Sequence, residues 1–140
     1  MTSNHENGKA AKWLEAKYGS EFGPKVLPVG RRIDGTIVFH KFDLISPDNQ
    51  IVAEVKAHKM NASGDVPSAK ILDTYLACGM LEKISAKTKL LIFTHSSFYQ
   101  SFRKNSYGKI SRQIKIVCIA YEQPKDDSDL LLTPLLESKL

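Results

Sequence analysis

Apolar side chains recur along this chain in two rhythms, and the points where one gives way to the other mark out its elements. Ala10, Ala11, Trp13, Leu14 and Tyr18 return every three or four residues among Lys12, Glu15 and Lys17, which predicts an amphipathic helix over about 8–18. Gly19 and the stretch Ser20-Glu21-Phe22-Gly23-Pro24 end it. From Lys25 the texture changes to β-branched and aromatic residues in period-two alternation, broken by the turn dipeptide Asp34-Gly35 and again by Ser46-Pro47-Asp48-Asn49. Strands are expected near 26–32, 36–46 and 51–58. Residues 60–66 read as loop, and Pro67 stands where a first helical turn tolerates it. Ile71, Leu72, Tyr75, Leu76, Met80 and Ile84 then predict a helix over 67–84. The run KLLIFT at 89–94 is almost wholly apolar, as in a central strand covered on both faces. A short helix over 96–104 and a strand over 113–121 complete the series. The order predicts an α/β fold, a mixed sheet flanked by helices, in one domain over 1–122. Residues 123–140 read as an acidic linker and a leucine-rich tail, Leu130–Leu136, that docks on the body or on a second copy.

Composition narrows the class. A chain of 140 residues, 42% hydrophobic and 25% charged, can bury a core without staples and is not disordered. No apolar run reaches membrane-spanning length, and the charged, polar start lacks a secretory signal's apolar stretch, so the cytoplasm is expected. Cys78 and Cys118 stand 40 positions apart in apolar settings, which predicts buried free thiols. The net charge is +5, but residues 123–140 balance to −2, which leaves +7 on residues 1–122. That excess suits a polyanionic partner.

The candidate chemistry lies in the second hairpin. With the turn centred on Asp48-Asn49, opposed residues sum to 97: Ser46 faces Ile51, and Asp43 faces Glu54. Alternation puts Lys56 on the face of Glu54, while Phe42, Leu44, Ala53 and Val55 are expected on the other. Two adjacent carboxylates repel unless a proton or a divalent cation relieves them. Oxygen ligands favour magnesium or manganese. Such an ion polarises a phosphodiester and acidifies water, and a neighbouring ammonium stabilises the charge of the transition state.

In these residues the chain resembles the PD-(D/E)xK nuclease superfamily, which includes restriction endonucleases and archaeal Holliday junction resolvases. An acidic residue on one strand and (D/E)-x-K on the next correspond to Asp43 and Glu54-Val55-Lys56, and the family's αβββαβ core matches the predicted order from 8 to 121. Phe42 stands where the family's proline would be, and the literal pair Pro47-Asp48 falls in the turn. The resemblance implies a magnesium-dependent DNA endonuclease, manganese substituting, with a resolvase-like or a restriction or repair activity. It implies Asp43 and Glu54 as metal ligands, the main-chain carbonyl of Val55 as another, Glu15 as an extra acid, Lys56 as the catalytic ammonium, and a homodimer.

Other residues carry two readings. Asp34 is an alternative ligand to Asp43 or an ordinary turn residue. Arg31, Arg32, His58, Lys59, Lys70, Arg103, Lys104, Lys109 and Arg112 are phosphate contacts or solvated surface. His5, His40 and His95 show no metal-ligand spacing. The rival functions are an inactive nucleic-acid-binding module of the same fold and an assembly protein acting through its tail.

Overall fold

The computed structural model describes residues 2–59, 68–121 and 125–126. The expected loop over 60–66, with Pro67, and the tail Leu130–Leu136 lie outside them. Helix α1 (Thr2–Tyr18) is followed by strands β1 (Gly23–Arg31), β2 (Ile37–Ile45) and β3 (Ile51–Lys56). Then come α2 (Ser68–Glu82), β4 (Thr88–Phe93), α3 (Ser96–Ser106), β5 (Ile114–Cys118) and a two-residue β6 (Lys125–Asp126). The chain is mixed α/β, as its two rhythms predict. Helix α1 begins at Thr2 rather than near Gly8, a polar first turn and a half with no apolar periodicity to betray it. The third strand stops at Lys56 and the fifth at Cys118, each short of its predicted end.

The strands form one sheet in chain order. β1, β2 and β3 are an antiparallel meander, β3, β4 and β5 run parallel, and β6 closes antiparallel on β5. Both parallel connections pass through a helix in the same direction across the sheet, so α2 and α3 share one face, as right-handed crossovers require. Phe42, Val52, Leu91, Phe93 and Ile116 pack there against Ala77, Leu81, Phe98 and Phe102. On the opposite face Leu44, Ala53, Val55, Leu90 and Ile92 pack against Ala10 and Leu14 of α1. β4 is therefore covered on both sides, as KLLIFT predicts. Cys78 and Cys118 are buried and unbridged, and burial pushes the Cys78 thiol up to about 12. No helix among the described residues is long and apolar enough to cross a membrane.

One irregularity decides where the site lies. Between the pairs Gly23–Ile45 and Lys25–Phe42, β2 advances three residues while β1 advances two. That extra residue is a β-bulge, and it shifts the alternation of β2 by one. Phe42 consequently joins Val52 and Ile45 on the α2–α3 face, not Leu44 on the α1 face, which corrects the uninterrupted alternation expected from sequence.

Candidate active site

Leu44 pairs with Ala53 and Ile45 with Val52, so opposed residues sum to 97 as the turn predicts. Asp48 sits at the hairpin tip and is committed to the turn. Its Oδ1 accepts hydrogen bonds from Ser46 Oγ at 2.7 Å and Gln50 N at 3.1 Å, and these hold its carboxyl below the usual range. Asn49 supplies the left-handed conformation, with φ 63°. Asp34 is likewise a turn residue, accepting from the backbone N and the hydroxyl of Thr36.

Beyond Leu44–Ala53 the side chains take over the ladder's work. A regular continuation would pair Phe42 with Val55; instead Val55 N donates to Asp43 Oδ2 at 2.7 Å, and Asp43 N donates to Glu54 Oε1 at 3.2 Å. Each acid thus caps the other strand, so Asp43 and Glu54 are held side by side where the two strands part. Glu54 is buried, and its carboxyl is pushed up to about 7 by that burial and by the charge of Asp43. His40 Nε2 lies 2.8 Å from Glu54 Oε2, in a hydrogen bond whose proton either partner can carry, and its ring packs edge-on to Phe42. The bulge brings His40 to this face.

Lys56 follows Glu54 on the same face, and its Nζ donates to Asp73 Oδ2 on α2 at 2.7 Å. This ion pair holds the Asp73 carboxyl low. His58 packs edge-on to Phe98, and its imidazole is held low by burial, then by Lys70 and Lys56. Asp43, Glu54, Lys56, His58 and Lys70 therefore gather where β3 ends and α2 begins.

Other predicted residues lie elsewhere. Glu15 is exposed on α1, and no described contact joins it to Asp43 or Glu54; the buried carboxylate of that helix is Glu6. Arg31 and Arg32 brace the β1–β2 turn through Gly35 O and Thr36 Oγ1. Lys59 is exposed just past β3. Arg103 and Lys104 close α3, and Lys109 and Arg112 enter β5, at the opposite end of the parallel strands from Lys56.

Two members of the cluster, His40 and Asp73, escape the sequence reading. His40 has the wrong parity for Glu54 unless the bulge is known. Asp73 carries a usable signal: it lies one turn before Ala77, beside the buried stripe Thr74, Ala77, Cys78 and Leu81.

Among the described residues no group of three or more His, Cys, Asp or Glu side chains is disposed to hold a metal ion. A cation between Asp43 and Glu54 would draw its other ligands from main chain, water and substrate, the habit of magnesium rather than of structural zinc. Comparison with protein-family models, with curated proteins and with solved structures returned no match.

Asp48→Asn keeps an acceptor for Ser46 and Gln50 and touches nothing in the cluster, so any activity should change by no more than about twofold. A nicking rate that fell as far as that of Asp43→Asn would move the site to the turn.

Proposed function

We propose that this chain is a magnesium-dependent DNA endonuclease with a restriction-endonuclease-like core of the PD-(D/E)xK kind. The observation that carries the reading is the pair Asp43 and Glu54, bridging two parting strands, with Lys56 on the same face two residues on. The meander β1–β2–β3, followed by a helix and a parallel β4, agrees with the αβββαβ order. The charge of +7 over residues 1–122 suits DNA. A domain this small encloses little of a duplex, so the proposal includes a homodimer.

The donor set fits the ion in one respect that matters. Glu54 retains a proton to about 7 because it is buried and because a second carboxylate stands beside it, and a divalent cation would relieve the repulsion between the two. Asp43 and Glu54 would hold the ion, joined by the Val55 carbonyl, which leaves β3 on the same edge as the N–H bound to Asp43. When bound, it supplies a Lewis acid for the phosphodiester and an acidified water. The rest falls to the protein. Lys56, steadied by Asp73, presents a fixed positive charge to the oxygen on which charge develops. His40 orients Glu54, and His58 and Lys70 flank the phosphate's approach.

One observation favours an inactive binding module instead: Glu54 and Lys56 already have protein partners in His40 and Asp73. A nicking assay separates the two. Supercoiled plasmid and branched DNA should be cut with magnesium or manganese and spared with EDTA. DNA binding without cleavage in either ion would establish the module and end the nuclease reading.

A further inference from the structure

A concave site opens on the α1 face of the sheet, at the rim where the parallel strands end. It is a cleft of about 670 Å³ lined by Lys9, Lys12 and Trp13 of α1 and, across it, by Thr94, His95 and Tyr121. Those opposing residues follow β4 and β5, so the cleft lies beyond the carboxyl ends of these parallel strands. It adjoins the candidate active site: Thr94 N donates to Lys56 O at 3.1 Å, and Ile119 N to Phe93 O at 3.0 Å.

The chemistry of the lining is specific. Lys9 and Trp13 are four residues apart on α1, with Lys12 beside them, so two ammonium groups and an indole share one wall, and Lys17 Nζ lies over the indole ring at 5.8 Å from its centroid. Beneath Lys9 and His95 lies the buried Glu6, whose carboxylate oxygens stand 3.4 Å from Lys9 Nζ and 3.7 Å from His95 Nε2. Among the described residues Lys12 has no such counter-charge within ion-pair distance. Thr94 is buried, and its side chain meets the Glu6 carboxylate, which that contact, more than any other, holds below its ordinary value.

From this juxtaposition we propose that the cleft binds an unpaired nucleotide of a nucleic-acid strand, its base against Trp13 and Tyr121 and its phosphates on Lys9 and Lys12. Cationic side chains interleaved with aromatic faces are the general means of holding single strands. A paired base offers no free face to an indole, so the occupant is unpaired. With Lys56 one strand away, the inference deepens the nuclease reading: the substrate carries a frayed, branched or flipped nucleotide next to the cleavage point.

Trp13 is the sole tryptophan, so its fluorescence reports this cleft alone. The intact chain in EDTA, where no cleavage occurs, is titrated with a short oligothymidylate and with a blunt duplex. Saturable quenching by the single strand, and much weaker quenching by the duplex, is expected. The exposed substitutions Lys9→Gln and Lys12→Gln together should lower the slope of log affinity against log salt by about 1.4, two phosphate contacts at about 0.7 each for a single strand. Binding without quenching, equal quenching by the duplex, or an unchanged slope in the double variant would each overturn the site. Because the readout needs no catalysis, quenching alongside an inactive protein would defeat the nuclease reading and keep the cleft, and cleavage without quenching would do the reverse.

Discussion

Lys56→Ala should lower DNA cleavage by about 10²–10³-fold, the scale set by removing one preorganised charge from a developing oxyanion. Lys56 is the cation whose placement owes most to the fold. It is the last residue of β3, its side chain is only 13% exposed, and Asp73 grips its Nζ at 2.7 Å. In the proposed nuclease an ammonium so held would need no reorganisation when charge builds on the phosphoryl oxygens, and the expected effect comes from that. Affinity for uncleaved DNA should fall little, since many phosphate contacts share it and one lost contact changes the salt slope by about 0.9. Folding should survive, because the Asp73 left behind is half-exposed and solvated. Single-turnover rates at saturating enzyme, beside binding measured in calcium or EDTA, separate the two effects. A variant that cuts at the wild-type rate would remove Lys56 from the chemistry. Asp73→Asn should act through Lys56, lowering the turnover rate and leaving KM nearly unchanged, whereas a purely structural Asp73 would show its loss in melting temperature alone.

Much of this arrangement is legible in the residue order, for identifiable reasons. The β2–β3 hairpin is readable because Pro47-Asp48-Asn49 pins the turn, and one-residue slippage would expose Leu44, Ala53 and Val55 together. β4 is readable because a strand covered twice has no polar face. Both signals are local. The bulge in β2 is not local: it is a mismatch in count between β2 and β1, and nothing in Phe42-Asp43-Leu44 announces it. Everything downstream of it was therefore hidden, including the turn of Phe42 toward α2 and the arrival of His40 at Glu54. The pairing of Lys56 with Asp73 depends on how the crossover seats α2, which sequence periodicity gives only as a stripe. Glu6 escapes for a third reason: the polar residues before Gly8 carry no rhythm, so nothing in the sequence announces the first turns of α1 or the acid they bury. The proposed partner, substrate and metal leave no such trace in periodicity; they are inferred from the carboxylate pair and the charge balance.

That carboxylate pair should also set the pH dependence of stability when no divalent cation is present. Glu54 has an ordinary value of 4.5 and is pushed up to about 7 in the folded chain, first by burial and then by Asp43. Between these values the folded state keeps a proton that the unfolded state has released. The stabilisation is therefore complete below about 4.5, declines as pH rises, and is lost above about 7. At 1.36 kcal/mol per unit the total is about 3 kcal/mol, or roughly 10 °C in melting temperature for a domain of this size. Asp73, held low by Lys56, works in the opposite sense at acid pH, since its contribution disappears as pH falls below the normal carboxylate range. The comparison that isolates Glu54 is with Glu54→Gln, which can still accept from Asp43 N and can donate to His40. In EDTA the two proteins should have similar melting temperatures at pH 5, and the variant should be the more stable at pH 8. Magnesium should then raise the wild type at pH 8 by about 3 kcal/mol at a hundred times its Kd, and leave Glu54→Gln almost unmoved. Parallel stability curves from pH 5 to 8, with or without the ion, would mean that Asp43 and Glu54 share neither a proton nor a cation, and the proposed metal site would fall with them.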